Sequence, residues 1–400
     1  MEKIMIGDRI RRKRMAAGMS LQDLAEQLAA EGAPISKAAL SNYETNKTVP
    51  NARALWALAK AFSEPMEYFI REESVSLTLS GYRKRPGLSA ARHDQIVAVI
   101  TEQIENCVRL ERILDLKPIP AQSKQTTIKD LREAEKIAAD VRQNWGLGDY
   151  PIASVTTLLE EKGWYVVQSP GDEDFDGLSG FVEPVGRPFA VSRRGISLDR
   201  MRLNLLHEAG HAYITSDDPK LAEKAAFRFA AALLLPENRV YEEVGRIRST
   251  FTLSELVLLK KKYGISMQAM AYRFLDLGVI SRSYFSLFFS WINQRGFKVD
   301  EPGSEQLNFQ EEPTIFRSQV LRALSEGLIT EADYARFLPG HPLPSDRTGF
   351  GSSAEIKRLL SLPKSEREKV LEAAASAAAE DYIDSEVNLG NAVDDITEYT

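Results

Sequence analysis

The sequence predicts a mainly α-helical, multidomain protein: an all-α N-terminal domain, a central α+β domain with a small sheet, and a helical C-terminal region. Three observations lead to this prediction. The first seventy residues contain five short amphipathic segments with helical spacing. Hydrophobic and polar residues alternate with a period of two in only a few short stretches, most of them between residues 163 and 192. The chain has 400 residues, 44% of them hydrophobic, which is enough for roughly two to four domains with real cores.

The charge balance and the cysteine count restrict the classes of function. Lys and Arg total 51 against 57 Asp and Glu, which gives a net charge of −6. This charge argues against a protein that coats nucleic acid, but it permits a local surface that binds nucleic acid. The single cysteine, Cys107, excludes an intrachain disulfide and a cysteine-based zinc site. No apolar run reaches about 18 residues, and the N-terminus is basic where a signal peptide would be apolar. We therefore expect a cytoplasmic protein without a membrane segment.

The N-terminal segment has the pattern of a helix-turn-helix domain. Gly18 ends the first predicted helix, and Ser20 caps the second. A turn containing Gly32 leads to Ser36, which caps the third, and two further short helices follow. The first helix is basic, and we expect its charged side chains to point largely outward: Arg9, Arg11, Arg12, Lys13 and Arg14.

The exposed N-terminal side of the third helix is the predicted DNA-reading surface. Such a helix enters the major groove, where Asn and Lys can read base edges and Ser can contact phosphate. The predicted contacts to a double-stranded DNA operator are Ser36, Lys37, Ala38, Ser41 and Asn42. We expect a homodimer, because helix-turn-helix domains commonly bind paired half-sites. The alternative is a plain helical bundle whose basic face is only solvated.

The strongest chemical signal is the pattern H-E-x-x-H, formed by His207, Glu208 and His211 in an apolar helical stretch. Residues four apart share one face of a helix, so the two imidazoles can bind one Zn²⁺ ion. Glu208 is next to the first ligand, where it can take a proton from water on the metal and act as the catalytic general base. The alternative is an exposed helix with a polar stripe.

A catalytic zinc ion needs a third protein ligand. A turn at Asp217 and Asp218 leads into the next predicted helix. Glu223 lies about four residues into that helix, level with His211 if the two helices are antiparallel. We therefore predict Glu223 as the third ligand. The alternatives are Asp217 or Asp218 as the ligand, with Glu223 merely solvated.

Three short strands precede the metal helix, at 163–168, 177–182 and 188–192. A helix, a small sheet and a metal helix form a zincin-like layout, in which an extended peptide can add to a sheet edge beside the metal. The two glycines Gly177 and Gly180 are explained equally well by turn chemistry.

Two parts of the sequence resemble known families. The N-terminal segment resembles the Xre/Cro family of repressor domains, on Gly18-Met19-Ser20, Leu24-Ala25, Leu40-Ser41-Asn42-Tyr43-Glu44 and Pro50. The central segment resembles the ImmA/IrrE family of metallo-endopeptidase-like proteins, in particular members with an N-terminal Xre domain. The stretches that carry this second resemblance are 174–180, 207–211 and 223–236.

The second resemblance implies that His207, His211 and Glu223 bind zinc and that Glu208 is the general base. One departure is Phe227, which stands where relatives often have Asn, Asp or His. The family's cleavage targets are typically partner repressors, whereas many members with a fused Xre domain act chiefly as regulators or antitoxins.

Three hypotheses of function follow from the motifs and the resemblance. The first is a DNA-binding transcriptional regulator fused to a zinc-dependent endopeptidase-like domain, which cleaves a partner regulator in a stress or mobile-element response. The alternative is a non-proteolytic repressor or antitoxin whose zinc domain senses metal or binds a partner, either a repressor or a toxin protein. A weaker third hypothesis is a purely structural zinc site.

These patterns divide the chain into five predicted parts. Alternation at 75–79 predicts a short strand, and Ser89 caps a predicted helix that runs to about Leu116. Residues after 345 are polar and end in an acidic run. The parts are an Xre-type helix-turn-helix DNA-binding domain (1–70), a strand and helix connector (71–125), a zincin-like metallopeptidase domain (126–245), a helical region (246–345), and a polar helix with an acidic tail (346–400).

Overall fold

A computed structural model describes residues 6–71, 75–81, 89–120, 125–169, 175, 177–344, 358–359, 361–363 and 365–373. The predicted acidic tail lies outside the described residues, and the predicted polar helix before it is described at 365–373, which are helical. The chain divides into two compact units, Met1–Ser318 and Gln319–Thr400. Among the described helices, none combines the length and the apolar character that a membrane span requires.

The N-terminal part folds into five helices, as predicted. The side chains of Ser20 and Ser36 cap the second and third helices by accepting the backbone N–H groups of Asp23 and Ala39. The helices are α1 (Ile6–Ala16), α2 (Leu21–Ala30), α3 (Lys37–Glu44), α4 (Ala52–Ala61) and α5 (Met66–Ile70). Their shared core contains Ile10, Leu24, Leu28, Leu40, Leu58 and Phe69.

A strand, a long helix and a series of short elements follow. The long helix is capped by Ser89, as predicted. The strand predicted at 75–79 and the three strands predicted between 163 and 192 are also confirmed. The elements are β1 (Ser76–Gly81), α6 (Ala90–Ile113), β2 (Thr126–Thr127), α7 (Glu133–Asn144), α8 (Val155–Glu161), β3 (Tyr165–Ser169), β4 (Gly177–Glu183) and β5 (Arg187–Arg193).

The remaining elements of the described chain are helices, apart from one short strand, and they include one 3-10 helix at Ser304–Gln306. The elements are α9 (Leu198–Tyr213), β6 (Ile214–Thr215), α10 (Pro219–Leu234), α11 (Glu237–Val244), α12 (Leu253–Tyr263), α13 (Met267–Asp276), α14 (Arg282–Gln294), α15 (Ile315–Ser325) and α16 (Glu331–Phe337). Strands β2 and β6 pair in parallel beside the end of α9. The mainly α-helical class with a small mixed sheet is therefore confirmed.

Four strands form one sheet in the order β1-β4-β5-β3. Strand β4 is antiparallel to both of its neighbours, and β3 is parallel to β5. Side-chain alternation divides β4 between two layers: Leu178 and Val182 pack with α6, whereas Phe181 packs with the core around α9. Strand β1 belongs to the predicted connector, and it pairs with the edge of β4 that faces away from β5.

The prediction that the basic side chains of α1 point outward is wrong for Arg9, Arg12, Lys13 and Arg14, the last of which pairs with Glu44 of α3. Arg9 is only 2% exposed, and its Nη1 lies 2.5 Å from Oε1 of Glu105 on α6. Arg12 binds the other carboxylate oxygen of Glu105, and Lys13 Nζ lies 2.7 Å from Oε2 of Glu102. Helical spacing identifies the residues that share a face, but here the carboxylates of α6 make that face a buried one.

Two buried ion pairs hold helix α9 in place. Arg202 of α9 is fully buried and pairs with Glu311, whose carboxylate also accepts backbone N–H groups at the start of α8. One turn earlier, Asp199 Oδ2 lies 2.9 Å from Lys260 Nζ of α12. Because a buried charge is costly without its partner, these contacts fix α9 relative to α8 and α12.

Candidate metal centre and DNA-reading helix

Helices α9 and α10 pack closely at a small residue on each helix. A Cβ on Gly210 would lie 3.1 Å from Cα of Ala226 and 3.2 Å from a ring carbon of Phe229. A larger residue at position 210 would therefore push the two helices apart. This close packing brings Glu223, in the second turn of α10, to the histidines of α9.

His207, His211 and Glu223 bring three ligand atoms together. The two Nε2 atoms lie 3.3 Å apart, and the Glu223 carboxylate oxygens lie 3.5 Å from Nε2 of His207 and 3.6 Å from Nε2 of His211. Two ligand atoms bound at about 2.0–2.1 Å to a tetrahedral ion would be about 3.3–3.4 Å apart. The spacing and the donor set of two imidazoles and one carboxylate therefore fit a four-coordinate metal ion with one position left for water.

The surroundings of His211 favour its neutral, metal-binding form. Burial lowers the pKa of His211, and the nearby Glu223 carboxylate partly opposes this effect. Only a neutral imidazole has a nitrogen lone pair to offer to a metal. The ring of Phe227, the residue that departs from the family pattern, lies against the ring of His207 with the centroids 4.0 Å apart. An apolar ring thus covers one side of the first histidine.

Glu208 lies against the sheet. Its Oε2 accepts a hydrogen bond of 2.7 Å from Oγ of Ser179 on β4, and both side chains are buried. A Cβ on Gly177 would lie 2.7 Å from Glu208 Oε1, so the glycine leaves the space that this carboxylate occupies. Ser179 is not among the site residues predicted from the sequence. Strand alternation could have found it, because Gly177 and Ser179 are two residues apart and share the face toward α9.

The two alternative ligands, Asp217 and Asp218, lie outside the group of ligand atoms. Both residues are exposed. Asp218 caps α10, because its Oδ1 accepts the backbone N–H of Lys220 at 2.9 Å. Within the described part of the chain, Glu223 is the carboxylate that stands with the two histidines.

The five residues predicted to contact DNA lie along α3 and at its cap. Ser36, Lys37 and Ala38 are exposed, and Ser41 and Asn42 are half-buried. The Ser36 hydroxyl accepts the N–H that caps α3. The N-terminal end of α3 is therefore accessible, although α1 of the same domain packs on α6.

Two known domain families match separate parts of the chain. The Helix-turn-helix family matches residues 10–69, which extend from α1 to α5. The IrrE N-terminal-like domain of the M78 peptidases, a typically metal-dependent family, matches residues 166–275, which contain the whole histidine and glutamate group. No curated protein matches the chain. The chain therefore joins a DNA-binding helix-turn-helix domain to an M78 peptidase-like domain, the architecture of ImmA/IrrE-type proteins with an N-terminal Xre-type domain.

Proposed function

We propose that this protein is a DNA-binding transcriptional regulator whose M78-like domain is a zinc-dependent endopeptidase. Its substrate would be a partner regulator in a stress or mobile-element response. The observation that carries the proposal is the spacing of the three ligand atoms of His207, His211 and Glu223, which suits a tetrahedral ion. Glu208, next to the first histidine, adds the acid-base group that hydrolysis requires.

The zinc ligands would be Nε2 of His207, Nε2 of His211 and a carboxylate oxygen of Glu223. When bound, zinc supplies Lewis acidity that polarises a peptide carbonyl and makes a water molecule acidic near neutral pH. Glu208 would accept a proton from the water while the oxygen of that water bonds to the carbonyl carbon. The same carboxyl would then give the proton to the departing amine as the C–N bond breaks.

The helix-turn-helix domain would bring this activity to a promoter. Helix α3 would enter the major groove of an operator, and a homodimer would present two such helices to two half-sites. The accessible N-terminal end of α3 supports this part of the proposal. Cleavage of a partner repressor would then change transcription of genes under shared control.

Metal analysis of the purified protein tests the site. We expect about one zinc ion per chain. It should be lost in His207→Ala, His211→Ala and Glu223→Ala, and retained in Glu208→Gln. His341→Ala is the matched control, because this histidine is exposed and lies outside the group of ligand atoms. Full retention of zinc in Glu223→Ala would assign the third ligand to another residue.

Glu208→Gln separates proteolysis from regulation without proteolysis. A general base typically contributes about 100- to 10,000-fold to the rate, so its removal should abolish partner cleavage while zinc and DNA binding persist. Both forms would be expressed with the neighbouring genes intact, and repressor fragments and promoter output would be followed under stress. Identical behaviour would reject the peptidase. It would favour a non-proteolytic repressor or antitoxin whose metal domain senses zinc or binds a partner.

A further inference from the structure

The hydroxyl of Ser179 touches the carboxylate that the proposed reaction uses. Ser179 is 2% exposed and Glu208 5% exposed, and the hydrogen bond between them measures 2.7 Å. Strand β4 is held on both sides, because Ser179 pairs with Gly81 of β1 and with Ala190 of β5. The donor is therefore attached to a backbone that pairs in regular register with β5 and pairs with β1 beside a bulge.

The backbone of β4 also limits where the Glu208 carboxylate can lie. A Cβ at Gly177 would be 2.7 Å from Oε1 of Glu208 and 3.1 Å from its Cγ. The end of this side chain thus rests on the strand at the glycine, while Ser179 binds its other oxygen. A flexible glutamate is held by two residues of a single strand.

We propose that Ser179 is a positioning residue that orients the carboxylate of Glu208 for proton transfer. This inference rests on the proposed function, because an orienting hydrogen bond matters only if Glu208 handles a proton. A general base must lie within hydrogen-bond reach of its proton, so fixing one carboxylate oxygen defines where the carboxylate can accept it. Ser179 itself would contact neither the metal nor the substrate.

Binding of acetohydroxamate to the zinc-loaded full chain tests this role without a known substrate. A hydroxamate chelates zinc and transfers a proton to a suitably placed carboxylate, so its affinity reports on the orientation of Glu208. Loss of a hydrogen bond to a charged group should weaken binding about tenfold in Ser179→Ala, measured by calorimetry at one pH. Thr101→Ala is the matched control, because Thr101 is buried on α6 and its hydroxyl donates to the carbonyl of Val97 in the same helix.

A double mutant shows whether Ser179 acts through Glu208. If it does, Ser179→Ala should have little effect on hydroxamate affinity in the Glu208→Gln background. Equal affinities of the parent and Ser179→Ala would overturn the positioning role alone, provided that Glu208→Gln binds more weakly than both. Equal affinities of the parent and Glu208→Gln would overturn the general-base role and the inference with it. Loss of zinc or of the fold in Ser179→Ala would mark Ser179 as structural and would also overturn the inference.

Discussion

The interface between the helix-turn-helix domain and α6 leads to a quantitative prediction about stability. Glu105 receives both Arg9 and Arg12 of α1, and the side chain of Glu105 is 10% exposed while that of Arg9 is 3% exposed. Replacing Glu105 with Ala removes the carboxylate that both guanidinium groups contact. The two positive charges would then remain in a site from which most water is excluded.

Removal of one partner from a buried ion pair costs about 3–5 kcal/mol, because the remaining charge stays desolvated without compensation. Glu105 keeps some contact with solvent, so we expect the free energy of unfolding to fall by about 3 kcal/mol, the lower end of that range. The exposed pair of Arg239 and Glu242, with side chains 28% and 58% exposed, supplies the control. Glu242→Ala should cost about 0–1 kcal/mol, as is usual for a surface pair.

Urea unfolding of the parent and the two variants at one pH measures the difference. Hydrogen exchange in α1 and α6 would show whether the loss is local to this interface. The double mutant Arg9→Ala/Glu105→Ala should lose less than the sum of the two single variants, because the residues are in direct contact. Losses in Glu105→Ala and Glu242→Ala that agree within about 0.5 kcal/mol would refute the reasoning, as would strict additivity in the double mutant.

Three further predictions concern the sheet, the DNA surface and pH. Gly180→Ala should loosen β1, because the new Cβ would lie 2.1 Å from the carbonyl oxygen of Thr78; unchanged hydrogen exchange in β1 would contradict this. Lys37→Ala and Asn42→Ala should each weaken operator binding by about 1–3 kcal/mol in fluorescence anisotropy if they read bases. Equal losses on random DNA would make them backbone contacts. Burial raises the pKa of Glu160 from 4.5 to about 7, so the folded state holds this proton more tightly than the unfolded state. The contribution of Glu160 to stability in urea should therefore fall as pH rises between about 4.5 and about 7. Glu160→Gln should flatten this slope, and an unchanged slope would argue against the assignment.

Features that depend on a few neighbouring residues could be predicted from the sequence. Ser20, Ser36 and Ser89 begin their helices because a side-chain oxygen satisfies an N–H three residues ahead, a contact set by local geometry. The two histidines share a helix face because they are four residues apart. The strands before the metal helix follow from alternation within five to seven residues. The DNA contacts and the five domain boundaries stay predictions.

The choice of the third ligand depends on a contact that the local sequence does not determine. The sequence favoured Glu223 but kept Asp217 and Asp218 as alternatives, because helix length gives a height along an axis but not the distance between two helices. That distance depends on Gly210 of α9 meeting Ala226 of α10, a contact between residues 16 positions apart. With the helices so close, Glu223 reaches both imidazoles, while Asp218 caps α10.

The contacts between distant parts of the chain were decided by tertiary structure alone. From the sequence, Arg9 is expected to be a solvated basic residue. The carboxylate of Glu105, 96 residues later, makes its burial possible. Ser179 and Glu208 are 29 residues apart, and only the packing of α9 on β4 brings them within hydrogen-bond distance. Hydrophobic periodicity indicates which face of a helix or strand is buried, because each residue contributes to the pattern independently. It cannot state which element covers that face, because this depends on the joint free energy of packing all the elements together.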